Sequence, residues 1–321
     1  MIRWGIVSTG RMAAALIDAI REAGGEVSAV SSRTGETAER FAGEHGVPAW
    51  FGSAAAMAAH DLDAVYVAST NQAHLADAVP FLEAGIGVLC EKPLALNGAQ
   101  AVTMAETARR NGAFLMEAMW MVFQPAFVEL ERLIGAGTIG PVHHVRADFG
   151  FPADLDPSGR LTDPRLGGGA LLDIGIYPLS LAHALLGRPT RSAAEAVLGP
   201  SGVDLQVGAI SVHGDAVSDL SASFLADTSL EAVVSGSEGR LRLEAPFHHA
   251  PRVTLHRGGD QIDAWETGYP GSGYRFEVEE VHRCLAAGET ESDRRPLSDT
   301  LEVMHWMDDL RRQIGVRYPG E

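Results

Sequence analysis

A doubly wound parallel α/β sheet, followed by an α+β domain on a large open and mostly antiparallel sheet, is predicted by three features of this sequence. The chain opens on an apolar strand, a glycine turn and a helix start between Ile2 and Ala13. Strand-like and helix-like stretches then alternate to about residue 122, and from Val142 strand-type runs dominate. With 321 residues, 46% of them hydrophobic, the chain can bury more than one core, so domains at 1–122 and 123–321 are expected.

Ile2, Trp4, Ile6 and Val7 supply the first strand, and Ser8-Thr9-Gly10-Arg11-Met12-Ala13 breaks it before a helix-favouring run from Ala13 to Ile17. A helix N-terminus carries unpaired N–H groups and a partial positive charge, which together favour a pyrophosphate. Gly10 lets the backbone approach phosphates and Ala13 is small enough for the helix to pack on the strand, although Ser8 stands where the first glycine of G-x-G-x-x-G/A would be. A dinucleotide is therefore expected on Ser8, Thr9, Gly10, Arg11 and Met12, with a plain strand-turn-helix as the alternative.

The second strand, Glu26 to Ser32, ends in Ser31-Ser32-Arg33-Thr34 with no acid before Glu36. An NAD site usually places a carboxylate there for the ribose hydroxyls. Ser32 and Arg33 instead suit a 2′-phosphate, so NADP is expected, with NAD possible. A helix over 36–44, a short strand to Phe51 and a helix capped by Ser53 follow. The run Asp63 to Ala68 reads as a strand buried on both faces, and its polar end offers Ser69, Thr70, Asn71 and His74 to a cofactor. Asn71 equally reads as the cap of a helix over 72–84. The fifth strand, Ile86 to Cys90, runs directly into Glu91-Lys92-Pro93, where a partly desolvated Lys92 is a candidate proton donor or nicotinamide positioner. A helix capped by Asn97 and closed by Gly112, then a last strand, lead through Glu117 and Trp120 to a boundary near Phe123.

A net charge of −17 argues against nucleic acid and acidic membranes as partners, since both want a basic face. Cys90 and Cys284 form no disulfide framework and sit at no metal-ligand spacing, so a reducing cytoplasm is expected and no metal. With the first strand at Ile2 no signal peptide is expected, and no apolar run reads as a membrane span.

In the second half, neighbouring histidines at 143 and 144 face opposite sides of a strand and cannot share a metal; His248 and His249 read the same way if extended. The Pro-, Asp-, Gly- and Arg-rich stretch 152–166 is long enough for a substrate lid, and its Arg160 and Arg165 read first as solvated loop charges and otherwise as contacts to substrate. Next, Gly167 to Pro178 opens a helix that runs on to Leu186. Asp173 and Tyr177, four apart, project from one helix face, and the glycine run implies close backbone packing. Seven strands between 192 and 265 and helices over 276–287 and 298–314 complete the chain. A broad sheet with one helix layer leaves a face for a second copy, so a homodimer is expected.

The turn at 6–13, the Glu91-Lys92-Pro93 tripeptide and the stretch GGGALLDIGIY at 167–177, in that order, make the chain resemble the Gfo/Idh/MocA family of NAD(P)-dependent oxidoreductases. Tyr177 and Met116-Glu117-Ala118-Met119-Trp120 are similar to the branch of dihydrodiol, xylose and glucose-fructose oxidoreductases. The resemblance implies a Rossmann domain, catalysis by Lys92 with Tyr177 and Asp173, cofactor contacts including Glu91 and Trp120, and substrate contacts from Lys92, Trp120, Arg160, Asp173 and Tyr177. One departure stands out: Met121-Val122-Phe123 replaces the usual Thr-Arg-Phe, which removes an arginine from a familiar substrate set. The reaction expected is hydride transfer between a nicotinamide and a secondary alcohol or hemiacetal of a sugar, polyol or dihydrodiol. A free tyrosine titrates near pH ~10, so an ammonium beside it is needed to favour the phenolate. An NAD-dependent glycosidase and an inactive cofactor-binding regulator are the alternatives.

Overall fold

Strand β1 (Arg3–Val7) is buried at Trp4, Ile6 and Val7 and lies inside a six-stranded sheet whose pairings are all parallel. The computed structural model describes all 321 residues. After β1 come α1 (Arg11–Glu22), β2 (Glu26–Ser31), α2 (Gly35–His45), β3 (Ala49–Phe51), α3 (Ala54–Met57), β4 (Ala64–Val67), α4 (His74–Glu83), β5 (Gly87–Glu91), α5 (Gly98–Asn111) and β6 (Leu115–Ala118). The strand order β3-β2-β1-β4-β5-β6 reverses direction between β1 and β4, and in such sheets ligands bind outside the carboxyl ends at that point. The apolar runs in β4 and β5 are buried throughout, as helices on both faces demand.

The helix limits have local causes. Thr34, Ser53 and Asn97 each accept a hydrogen bond from the backbone N–H three residues on, and Gly46 and Gly112 close α2 and α5 in left-handed conformations that glycine adopts without penalty. Asn71 departs from its expected role as a cap: it opens a short 3₁₀ turn, Asn71–Ala73, and the α-helix begins only at His74.

Two units form, one of Met1–Trp120 with Gly271–Leu301 and the other of Met121–Pro270 with Glu302–Glu321. The single crossing expected at 122/123 is therefore incomplete, because residues 271–301 return to the first unit. Helix α8 (Arg275–Ala287) packs on α1, and Trp4 donates from its indole to His282 at 3.0 Å. The return is locked by Glu117 of β6. Its Oε1 accepts from the Leu94 N–H at 2.9 Å, and its Oε2 accepts from Arg295 Nη2 at 2.6 Å, Arg295 Nε at 3.1 Å and Thr300 Oγ1 at 3.2 Å. Amphipathic periodicity shows that a helix must pack, not on which core.

The second unit follows with α6 (Pro125–Gly135), β7 (Val142–Gly150), α7 (Ile176–Leu186), β8 (Arg191–Leu198), β9 (Asp204–His213), β10 (Ala216–Ser223), β11 (Ala232–Gly236), β12 (Gly239–Leu243), β13 (Arg252–Arg257), β14 (Asp260–Glu266) and the larger part of α9 (Leu297–Ile314). Its eight strands are ordered β14-β13-β12-β11-β7-β10-β9-β8, antiparallel except for β7 beside β10. Along β9, Val207, Ala209 and Ser211 are buried while Gln206, Gly208 and Ile210 are exposed, so one face carries the core and the other is open. His248 and His249 are not extended but lie in a short 3₁₀ turn, Phe247–His249. Within Pro164–Leu186, a window of 18 residues reaches a mean hydropathy of 1.4 by length and composition alone, and 78% of that window is buried inside the protein, as the core helix of a folded domain is.

Breaking a buried ion pair by neutralising one partner costs about 3–5 kcal/mol, because the other charge stays buried. Glu117→Gln is therefore expected to lower the thermal midpoint sharply in circular-dichroism melts. Arg132→Ala, which removes an exposed pair with Glu129, leaves the midpoint near that of the parent; equal shifts would show that the Glu117 cluster does not hold the first unit together.

Candidate functional site

In the first unit the candidate site begins where β1 ends. Gly10 sits at the N-cap of α1 in an extended conformation, with no side-chain cap and no acid in the first turn. That helix end therefore keeps its attraction for an anion. Ser8, in place of the expected glycine, takes φ = 102°, a conformation that side chains rarely adopt. Its N–H donates to Ser31 O at 2.9 Å and its Oγ accepts from the Gly10 N–H at 3.3 Å, so the turn is tied to β2 and pinned across itself.

Along the carboxyl ends of β2 and β4, Ser31 Oγ, Ser69 Oγ and Gln72 Oε1 are buried without a hydrogen-bond partner. Orphaned polar atoms beside the strand-order reversal fit a ligand rich in hydroxyls and phosphates. Ser32 is half-buried, and Arg33 is exposed and makes no ion pair. The Thr34 hydroxyl is committed to capping α2. His74, expected at a cofactor, is fully buried, with Nδ1 3.0 Å from Pro93 O and Nε2 3.1 Å from Ser69 O. Burial lowers its pKa, and a side chain with no accessible surface has none to offer a ligand. It instead joins the start of α4 to the Glu-Lys-Pro turn.

Lys92 lies half-buried just past the end of β5. The preceding Glu91 accepts from the Tyr66 hydroxyl through Oε1 and from the Lys92 N–H, at 3.1 Å, through Oε2. Burial, then the Glu91 charge, pushes the Tyr66 hydroxyl well up, so it remains a donor. Burial likewise raises the Cys90 thiol, which leaves it inert beside the site. Two contributors escaped the sequence reading. Tyr274 lies with its ring 4.6 Å from that of Trp120 and its hydroxyl 4.0 Å from Met12 Sδ, and Glu277 is a buried acid whose carboxyl is pushed well up by burial and by the Glu91 charge. Their only sequence signal was a polar first turn on an otherwise amphipathic helix.

In the second unit, Leu171–Gly175 is a π-helical turn leading directly into α7, and it carries Asp173, with Tyr177 at the second position of α7. Such turns recur at functional sites. The glycines before it are required by contact: a Cβ on Gly168 would sit 2.8 Å from Leu161 O, and one on Gly169 would collide with Asp204 Oδ1. Of the two loop arginines, Arg165 is spent on Asp163 at 2.7 Å, whereas Arg160 reaches Asp173 Oδ1 at 3.1 Å. Tyr177 is 7% exposed and lies 5.3 Å from the Phe149 ring and 5.4 Å from that of His248, which stacks on Phe149 at 4.5 Å. The structure thus assembles Arg160, Asp173 and Tyr177 in one unit, and Met12, Glu91, Trp120 and the turn at Gly10 in the other.

Family models match both halves: residues 2–119 match the oxidoreductase family with an NAD-binding Rossmann fold, and residues 127–242 match the GFO/IDH/MocA C-terminal domain. Among characterised relatives, trans-1,2-dihydrobenzene-1,2-diol dehydrogenase of Danio rerio is 35% identical over 99% of this chain and 98% of its own length. A solved structure of a 3-ketoreductase from Actinomadura kijaniata, in complex with NADP and TDP-benzene, is 26% identical with a TM-score of 0.86 over 98% of each chain. The aldose-aldose oxidoreductase of Caulobacter crescentus, 24% identical with a TM-score of 0.86 over 97% of each chain, shares the fold.

A non-glycine residue held at positive φ costs about 1–3 kcal/mol, more than the roughly 0.5–1 kcal/mol of chain entropy that glycine loses. Ser8→Gly is accordingly expected to raise the thermal midpoint by a few degrees without weakening dinucleotide binding in a fluorescence titration. A lowered midpoint would mean that the Ser8–Gly10 hydrogen bond outweighs the strain.

Proposed function

The chain belongs to the Gfo/Idh/MocA family of oxidoreductases, and from that premise we propose that it is an NADP-preferring dehydrogenase of vicinal cyclic diols or sugars with Lys92 and Tyr177 at the reacting alcohol. The observation that carries the reading is the Asp173–Tyr177 pair: a phenol set among Phe149 and His248, one turn from a carboxylate that Arg160 holds. The aromatic surround, with Phe151 exposed beside Phe149, supports a substrate having an apolar ring face, as the dihydrodiol relatives' name suggests. Arg33 and Ser32, with no acid between them and the end of β2, support NADP over NAD.

A bound nicotinamide dinucleotide supplies the hydride acceptor, held by the amides at the start of α1 and by Ser8, Thr9, Gly10, Arg11 and Met12. As the C–H electron pair leaves the carbinol carbon, the hydroxyl proton passes to Tyr177 Oη acting as its phenolate, a form that the Lys92 ammonium favours. Asp173, fixed by Arg160, accepts a hydrogen bond from the neighbouring hydroxyl and so selects diols over simple alcohols. Ser69, Thr70, Asn71, Glu91 and Trp120 line the cofactor side. The open sheet face, with Val197 and Ile210 exposed on β8 and β9, supports a homodimer, and two buried free thiols suit a reducing cytoplasm.

The deciding experiment is a panel of cyclic diols, sugars and polyols with NADP and with NAD, followed at the nicotinamide absorbance. Net NADPH formation with a diol or sugar is expected; glycoside cleavage without net reduction would replace the reading with the glycosidase alternative. Tyr177→Phe is expected to reduce turnover by about two to four orders of magnitude with unchanged NADP affinity, and parental turnover would remove Tyr177 from the mechanism. Arg33→Ala is expected to weaken NADP binding about ten- to a hundredfold while NAD binding barely moves. Equal effects would reject the phosphate contact.

A further inference from the structure

Asp204 lies fully buried at the start of β9, in the same unit as Asp173 and Tyr177 but apart from them in the chain. Its Oδ2 accepts from the Leu171 N–H at 2.6 Å, and the Ala170 amide faces the same carboxylate. Its Oδ1 has no hydrogen-bond partner and rests where a Cβ on Gly169 would be. From the C-terminal tail, the buried Tyr318 donates its hydroxyl to Gly168 O at 2.8 Å. The Gly168 carbonyl of the glycine run and the first amide of the π-helical turn are thus held by two side chains distant in sequence, and the Asp204 carboxylate fills the space beside Gly169. Asp173 and Tyr177 ride on the turns that follow.

We propose that Asp204 and Tyr318 are positioning residues that set the Leu171–Gly175 turn, and through it Asp173 and Tyr177, in the geometry needed for proton transfer. The proposal rests on Tyr177 being the proton acceptor. Stability alone does not explain an acid at 204. Burial pushes its carboxyl up to about 6, so the fold gains from the protonated form below the unfolded value of about 3.9 and loses that gain as pH rises through 6. An ionised Asp204 at neutral pH therefore opposes folding while it serves as the acceptor at a helix start. The groups facing it are the amides of Ala170 and Leu171, the Tyr318 hydroxyl and Arg311 of α9, whose guanidinium is itself paired with Asp308 and Glu321. Arg311 lowers the Asp204 pKa and partly offsets burial.

The test uses the full chain with Asp204→Asn, Tyr318→Phe and, as a control on the exposed face of β10, Asp219→Asn. Hydrogen exchange of the amides at 169–177, turnover from pH 5 to 8 with the best substrate of the panel, and NADP affinity are measured together. A displacement of about 1 Å at a reacting group costs about a hundredfold in rate. Asp204→Asn is expected to speed exchange at 169–177 by roughly tenfold or more, to lower kcat by roughly ten- to a hundredfold with unchanged NADP affinity, and to abolish an acid limb near pH 6 that the parent shows. Tyr318→Phe, which removes a single donor, is expected to give the first two effects and keep the limb; it decides the matter if Asp204→Asn fails to fold. Parental kcat in the folded variants, or exchange no faster than in the control, overturns the proposal. Should no substrate of the panel be oxidised, the reading of function fails by itself, and unchanged exchange would still sink the positioning role.

Discussion

The buried carboxylate of Glu117 ties together segments of the first unit that lie far apart in the chain. A carboxylate at 1% exposure is costly to desolvate, and here four donors meet it: the Leu94 amide just past Lys92, Nε and Nη2 on one edge of the Arg295 guanidinium, and the Thr300 hydroxyl. The same group that completes the last strand of the parallel sheet fixes the turn leaving the candidate lysine and brings back a segment 178 residues further along. With His74 bracing Pro93 from the other side, the backbone around Lys92 is held by buried polar contacts at both ends of the turn.

The two units prepare their groups by different means. In the first, the donors for an anionic ligand are backbone amides at an uncapped helix start, which suits a chain with a net charge of −17, because local N–H groups act where the overall field is unfavourable. In the second, side chains do the work, and their placement depends on close backbone approach. Glycines at 168 and 169 admit Leu161 O and Asp204, and a π-helical turn then presents Asp173 towards Arg160 and leads to Tyr177. Aromatic packing around Tyr177, with Phe149 and His248 on its ring, constrains where the ring lies before any ligand arrives.

Local signals translated faithfully where the physics is local. Thr34, Ser53, Asn97 and Gly112 sit at helix ends as their side chains and conformations dictate, while Asn71 shows the limit: a short polar side chain announces a helix start without saying whether an α or a 3₁₀ turn comes first. The Lys92 and Tyr177 positions were legible because each follows a strand or glycine run of distinctive pattern. A histidine at a strand end looks alike whether it meets a cofactor or two carbonyls, and the ring of His74 lies between the carbonyls of Pro93 and Ser69. Arg160 and Arg165 were indistinguishable until Asp163 claimed the nearer one.

The order of residues alone determined the alternation that makes a parallel sheet, the strand-rich second half, the helix caps and the anion-favouring turn at Gly10. These follow from backbone propensity and hydrophobic period, which act over a few residues. Tertiary structure decided that 271–301 completes the first unit, that Glu117 finds Arg295, that Asp204 and Tyr318 grip the glycine run, and that the apolar stretch at 164–186 is core. The physical reason is range: a buried charge or an orphaned amide must find a partner, but nothing in its own neighbourhood of the chain specifies which distant segment will supply it.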